Sequence, residues 1–226
     1  MSSQNLFAAL RAVFPPDLEC IAVEATAPDG TPLLYTWRDL DHASARMANL
    51  LVLLGLPEGS RVVVQVDKSV EAMVLYLAIL RAGHVFVPLN MACQSSEMAY
   101  FVDHAEPAVV VCTPGNFGWV SKIAFTASAQ HVYTLSDNRT GSLLERAAHH
   151  SDRHAPVARS SDDLGAIIYT SGTTGRSKGA MLTHGKLLSH AAVLRDYWCG
   201  EQGDVPIFHV HGLYVAIHGT LLDAAR

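Results

Sequence analysis

Short, valine-rich apolar runs alternate with longer helical patterns along the first half of the chain. An apolar run without polar alternation is typical of a strand that is covered on both faces. Strands joined by helices form parallel pairs, because the helix carries the chain back to the same edge of the sheet. The sequence therefore predicts an α/β fold with mostly parallel sheet layers flanked by helices. The predicted order of strand, helix, strand, helix and strand covers Arg61–Val66, Ser69–Ala82, Val85–Val87, Ser95–Ala105 and Ala108–Cys112.

Local signals mark the boundaries of two predicted helices, one beginning after Thr36 and one beginning at Ser69. Thr36 stands three residues before Asp39, which is the spacing of a capping box, and a helical apolar pattern follows as far as Gly55. Gly83 ends the helix that begins at Ser69. Glycine is favoured at such positions because it adopts the left-handed backbone of a helix end without strain. Both helices are therefore predicted with defined boundaries.

The second half of the chain gives weaker signals. Residues 115–130 fit neither the helical nor the strand pattern, and the polar segment Ser151–Asp163 predicts a connecting loop. We expect strands over His131–Leu135 and Gly165–Tyr169, and helices over Leu143–His150 and Thr183–Tyr197.

Composition excludes several classes of function. The 226 residues carry a net charge of -5 and no cluster of lysine or arginine, so nucleic acid is not expected as a partner. The cysteines are far apart and form no C-x-x-C pair, which predicts reduced thiols rather than disulfides or a zinc ribbon. No apolar run is long enough for a membrane span and no signal peptide is evident. We expect a cytoplasmic protein without a membrane partner.

A glycine-rich segment follows the apolar run Ala166–Ile168. It reads Y-T-S-G-T-T-G-R-S-K-G from Tyr169 to Gly179 and combines three glycines, several hydroxyl side chains and two cations. Glycines bring backbone N–H groups close to an anion, while hydroxyls and a lysine satisfy the remaining oxygens. The spacing is not that of a Walker A motif, since Arg176 follows Gly175, and a plain surface loop is the alternative. The segment predicts a polyphosphate-binding loop.

Two segments carry a resemblance to a known family. Tyr169–His184 resembles the nucleotide-binding signature of AMP-forming acyl-CoA synthetases and adenylation domains, and Leu80–Asn90 resembles an upstream element of the same family. Within that family, Ala105–Pro107 and Pro206–Leu213 look most like malonyl-CoA synthetases. Ser177, where most of the family has proline, is a departure that this branch shares.

The resemblance implies a reaction and its participants. A carboxylate attacks the α-phosphorus of ATP to give an acyl-adenylate and pyrophosphate, and the thiol of coenzyme A then displaces AMP. The expected substrates are malonate or methylmalonate, ATP and coenzyme A, with Mg²⁺ held at Thr174. Lys178 is expected to make the main charge contact, with Lys186 uninvolved. The residues expected to wrap the phosphates are Thr170, Ser171, Gly172, Thr173, Thr174, Gly175 and Lys178.

His209 is the residue that the resemblance places beside the reacting carboxylate, where imidazole can donate a hydrogen bond. His211 has less support for the same role. Two alternatives remain open at this point. His209, His211 and His218 have spacing that zinc ligands also show, and each can equally be an ordinary core or surface histidine.

Members of the family are considerably longer than this chain. Residues 1–226 are therefore expected to form part of the N-terminal domain, with the C-terminal domain and its adenylation lysine absent. Asp204–Val205 also abuts Pro206 where malonyl-CoA synthetases have a short strand. Two further hypotheses follow: an inactive nucleotide-binding or interaction fragment that pairs with a complementary C-terminal chain, and an adenylating enzyme for aryl or fatty acids.

Overall fold

Eight strands and seven helices make up the part of the chain that the computed structural model describes, which is residues 4–27, 29–170 and 177–198. The strands are β1 Ile21–Thr26, β2 Pro32–Thr36, β3 Arg61–Gln65, β4 Val85–Pro88, β5 Val109–Cys112, β6 His131–Thr134, β7 Leu164–Thr170 and β8 Lys178–Thr183. The helices are α1 Leu6–Ala12, α2 Trp37–Leu53, α3 Val70–Arg81, α4 Ser95–Ala105, α5 Phe117–Thr126, α6 Ser142–Ala147 and α7 His184–Trp198.

Six of the strands form one sheet in the order β6-β5-β3-β4-β7-β8. The first five are parallel neighbours, and β8 pairs antiparallel with β7 at one end of the described strand order. The α/β fold with a mostly parallel sheet is therefore confirmed. β1 and β2 form a separate antiparallel hairpin.

The sheet is covered on both faces, as its continuous apolar strands predict. Alternate residues of β3 serve opposite faces: Val62 and Val64 pack into the core beneath α1, α2 and α3, and Val63 into the core beneath α4 and α5. Both Val62 and Val63 are fully buried. Burying a valine side chain stabilises a fold by about 1.5–3 kcal/mol, so these strands anchor both layers.

The predicted helix ends are also observed. Thr36 and Asp39 form a capping box, with the Thr36 N–H donating to Asp39 Oδ2 at 2.8 Å and the Asp39 N–H donating to Thr36 Oγ1 at 3.1 Å. The Ser69 hydroxyl accepts from the Ala72 N–H at 3.1 Å. Gly83 has φ +74°, and a Cβ there would lie 2.8 Å from Arg159 Nε. Glycine at position 83 therefore allows both the positive φ at the end of α3 and the close approach of the Arg159 side chain.

Several elements differ from expectation. Residues 115–130 contain α5, which follows a 3₁₀ turn at Pro114–Asn116. The helix predicted over Leu143–His150 is shorter at its end, since α6 stops at Ala147. Neither α1 nor the β1–β2 hairpin was indicated by the patterns. Lys178–Thr183 is strand β8 rather than the tail of a loop.

The segment between α6 and β7 is a loop, as predicted, and hydrogen bonds fix it to the domain. The Asn49 side chain donates to the carbonyls of Ser151 and Arg153 at 2.8 and 3.0 Å. The Val157 N–H donates to the Arg81 carbonyl at 2.9 Å. A long connection without regular structure is thus held in place by polar contacts rather than by strand or helix pairing.

Candidate functional site

The glycine-rich segment connects β7 to β8. Thr170 and Lys178 are partners in the antiparallel register, so the chain enters and leaves the connection at adjacent backbone positions. Ser177 is described by the structure. The other predicted phosphate-binding residues, Ser171, Gly172, Thr173, Thr174 and Gly175, lie outside the described residues and stay predictions.

The Thr170–Lys178 pair brings a hydroxyl and a cation to one place. Side chains directly opposite each other in an antiparallel pair lie on the same face, with Cβ atoms roughly 5 Å apart. Both side chains are exposed. An ammonium beside a hydroxyl fits a phosphate group, because charge-assisted hydrogen bonds are the stronger kind and the hydroxyl can donate to a second oxygen. The structure therefore places Lys178 on a strand end rather than on the loop itself.

Gly179 follows Lys178 and lies opposite Tyr169. A Cβ at Gly179 would lie 3.0 Å from Ile167 Cγ2 and 3.4 Å from Tyr169 Cε1. The tyrosine ring therefore covers the glycine, and a larger residue would push the two arms of the hairpin apart. This glycine serves packing between the arms, in addition to any contact with an anion.

Helix α4 contacts both arms of the hairpin. The Tyr100 hydroxyl donates to the Ser177 carbonyl at 3.0 Å, and His104 Nδ1 lies 2.8 Å from the Tyr169 hydroxyl. The Phe101 ring packs on the Tyr169 ring with centroids 4.6 Å apart. Burial, followed by the neighbouring Tyr100, raises the pKa of Tyr169, so its hydroxyl stays protonated. The sequence did not predict these contacts. The adjacent aromatic residues Tyr100 and Phe101, with His104 on the same helix face as Tyr100, are the sequence feature that could have indicated them.

His184, the last residue of the family signature, is fully buried. Its Nδ1 accepts the Leu6 N–H at 3.1 Å. Burial first, and then the charge of Arg159, lowers the pKa of His184 to about 4. The ring is therefore neutral near pH 7 and joins α1 to the domain, which is a structural role.

Another lysine lines an open cavity beside the start of α7. An open cavity of about 630 Å³ there is lined by Lys186, Ser189 and His190. Asp162 lines the same cavity, and its carboxylate opposes an anionic ligand. The hairpin mouth is the better candidate, and Lys186 provides a comparison for Lys178.

The described part of the chain bears on the predictions about metal ligands, thiols and membrane spans. Across residues 4–27, 29–170 and 177–198 there is no group of three or more His, Cys, Asp or Glu residues that could hold a metal ion. Thr174, His209, His211 and His218 lie outside those ranges, so their roles stay predictions. The described cysteines Cys20, Cys93 and Cys112 are free thiols. Among the described helices, none has the length and apolar character needed to cross a bilayer.

The parallel sheet with a glycine-rich hairpin at its edge matches the N-terminal domain of adenylate-forming enzymes. Residues 16–226 match the family model for AMP-binding enzymes, and the chain belongs to this family. A solved structure of ATP-bound MatB from Rhodopseudomonas palustris superimposes with a TM-score of 0.89 at 44% identity, covering 99% of this chain and 44% of that one.

Two curated relatives have lower sequence identity to this chain than MatB has. The medium-chain fatty-acid–CoA ligase of Escherichia coli (strain K12) is 28% identical over 208 residues, covering 85% of this chain and 37% of the ligase. Surfactin synthase subunit 2 of Bacillus subtilis (strain 168) is 32% identical over 222 residues, covering 91% of this chain and 6% of the subunit. The chain thus spans less than half the length of the proteins it matches.

Proposed function

We propose that this chain provides the polyphosphate-binding part of an AMP-forming acid–thiol ligase. The observation that carries the proposal is the pairing of Thr170 with Lys178 at the mouth of the glycine-rich connection. Membership of the AMP-binding family supports it, as does the similarity to a structure that was solved with ATP bound.

The proposed reaction has two steps. A carboxylate oxygen attacks the α-phosphorus of ATP, the bond to the β-phosphate oxygen breaks, and pyrophosphate leaves. The thiol of coenzyme A then attacks the acyl carbon, loses its proton, and displaces AMP. Lys178 and Thr170 would hold and neutralise the leaving pyrophosphate, which is where negative charge develops. Mg²⁺, when bound, supplies further charge neutralisation, and Thr174 is the residue that we expect to contact it.

The acid that we propose is malonate or methylmalonate. Support comes from the resemblance of Ala105–Pro107 and Pro206–Leu213 to malonyl-CoA synthetases and from 44% identity to MatB. His209 is the proposed catalytic residue beside the reacting carboxylate. The relative that uses medium-chain fatty acids is less similar, at 28% identity.

We further propose that the chain corresponds to part of the N-terminal domain of such a ligase. It spans 44% of the MatB chain, so the complete reaction would require residues that a complementary C-terminal chain or a longer protein supplies. ATP and coenzyme A are substrates of the cell interior, which favours a cytoplasmic location.

Replacing Lys178 by alanine is expected to weaken Mg²⁺-ATP binding by about 10-fold to 150-fold, because a hydrogen bond to a charged group contributes about 1.5–3 kcal/mol. Lys186→Ala removes another exposed lysine eight positions later and is expected to change the affinity less than about twofold, within the range of an uninvolved surface residue. Isothermal titration of the 226-residue chain with Mg²⁺-ATP measures both.

Pyrophosphate release with malonate, methylmalonate and acetate tests the chemistry in parallel. Malonate-dependent release that is lost in Lys178→Ala would support the adenylation step. ATP binding without release would reduce the function to nucleotide binding by an inactive fragment. Equal effects of the two lysine substitutions, or a larger effect of Lys186→Ala, would overturn the assignment of the phosphate site to the hairpin.

A further inference from the structure

We propose that Tyr100 and His104 are positioning residues that hold the two ends of the phosphate loop at a fixed separation. This inference rests on the proposed function of that loop. Neither residue is expected to touch ATP. Each acts through a backbone or side-chain partner on one arm of the β7–β8 hairpin.

The geometry of α4 divides the two contacts between the two arms. Tyr100 and His104 are four residues apart and therefore lie on the same face of the helix. The Tyr100 hydroxyl binds the carbonyl of Ser177 on the returning arm, and His104 binds the hydroxyl of Tyr169 on the outgoing arm. A single rigid helix thus fixes both ends of the connection.

The hairpin needs such support at this end. Among the described strands, β8 pairs with β7 alone, so within that part of the chain the sheet holds it from one side. Thr170 and Lys178 form the last pair of the ladder, and the next pair contains Gly179, which offers no side chain for packing. Glycines in the connection also increase the entropy that is lost when the loop is ordered. Without a lateral contact, the end of the ladder would fray.

The Tyr100 contact also sets the direction of a backbone donor. The Ser177 carbonyl and the Lys178 N–H belong to the same peptide unit, which is planar and trans, so the two groups point in opposite directions. Holding the Ser177 oxygen toward α4 therefore turns the Lys178 N–H away from α4. The hydroxyl of Tyr100 thereby fixes the peptide that carries the main phosphate-binding cation.

The His104 contact acts on the other arm through an aromatic ring. The Tyr169 ring covers Gly179, and its hydroxyl is held by His104. The ring of Phe101 supports Tyr169 from the helix. Fixing the Tyr169 ring fixes the packing between the arms at the residues adjacent to Thr170 and Lys178.

Tyr100→Phe tests the proposal because it keeps the ring and removes the hydroxyl. Its control is Tyr35→Phe, which removes a hydroxyl that binds Glu71 at 2.7 Å, outside the α4–hairpin contact. Tripolyphosphate is the probe, since it reports on the phosphate loop without the adenine. We expect Tyr100→Phe to weaken tripolyphosphate binding by about twofold to tenfold, the range of a single uncharged hydrogen bond, and Tyr35→Phe to leave it unchanged.

His104 offers a rescue experiment. His104→Leu removes the contact to Tyr169 and is expected to weaken tripolyphosphate binding by a similar factor. His104→Gln keeps an amide that can donate to or accept from the Tyr169 hydroxyl and is expected to restore most of the affinity. Urea unfolding of every variant shows whether a change in binding merely follows a change in stability.

The outcomes separate this inference from the function on which it rests. If Lys178→Ala weakens tripolyphosphate binding and Tyr100→Phe does not, the positioning role is wrong and the phosphate site stands. If Lys178→Ala has no effect, the phosphate site itself is wrong. Amide hydrogen exchange gives an independent readout: Lys178 and Gly179 should exchange faster in Tyr100→Phe than in Tyr35→Phe, and equal rates would contradict the proposal.

Discussion

Replacing Arg81 by methionine is expected to lower the free energy of unfolding by about 3–5 kcal/mol, the usual cost of breaking a buried ion pair. The Arg81 side chain is 6% exposed, and its Nη1 donates to Asp41 Oδ1 at 2.8 Å and to Ser44 Oγ at 3.0 Å. Its Nε donates to the His154 carbonyl at 2.9 Å, and the guanidinium lies 4.7 Å from the centre of the Phe7 ring. Arg81 therefore joins α1, α2, α3 and the long connecting loop.

Arg38→Met is the matched control for this substitution. Arg38 forms an ion pair with Glu19, and both side chains are largely exposed. An exposed pair contributes about 0–1 kcal/mol, so the control should change stability little. Urea unfolding of the two variants at pH 7 provides the comparison. A loss below about 1 kcal/mol for Arg81→Met would show that water replaces the buried contacts and that Arg81 does not join these elements.

Acidification from pH 7 to pH 4 is expected to remove about 3 kcal/mol of stability for each of the two buried histidines His84 and His184. Burial first, and then Arg159, lowers the pKa of each from 6.5 to about 4. Below pH 6.5 the unfolded chain binds protons that the folded chain does not yet bind, so stability falls as the pH falls through this window. Protonation of His184 also removes the acceptor for the Leu6 N–H.

His84→Leu separates this effect from general acid denaturation. Neither ring nitrogen of His84 has a hydrogen-bond partner within the described residues, so leucine loses no polar contact. Unfolding free energies measured between pH 7 and pH 4 should fall less steeply in this variant than in the parent chain. Identical slopes for the parent chain and His84→Leu would show that His84 does not contribute.

Local sequence signals predicted the elements whose stability is largely local. The Thr36–Asp39 capping box and Gly83 defined α2 and α3, because caps and glycine stops act through nearby backbone groups. Strand β8 was not predicted, since K-G-A-M-L-T lacks a strand pattern and its extended conformation depends on pairing with β7. Helix α1 was missed for a similar reason: seven residues form a stable helix only when packed.

In the candidate site, too, the sequence predicted local features but not contacts between distant residues. The glycine-rich composition predicted a phosphate loop, and the register shows that Thr170 and Lys178, at its two ends, lie opposite each other. The contacts from Tyr100 and His104 connect residues 77 and 65 positions apart in sequence. Contacts of that range depend on how α4 lies across the sheet, which no local pattern specifies.

The buried helix α1 determines where a recombinant form of this domain should begin. The family match begins at residue 16, yet Leu6, Phe7 and Leu10 are core residues with 0 to 1% exposure. The Asn5 side chain donates to the carbonyls of Leu80 and Val157, each at 2.8 Å. A recombinant protein begun at the family boundary would uncover apolar surface and remove the Asn5 donor from the Leu80 and Val157 carbonyls. Helix α1 therefore belongs to the packed core although it precedes the residues that match the family.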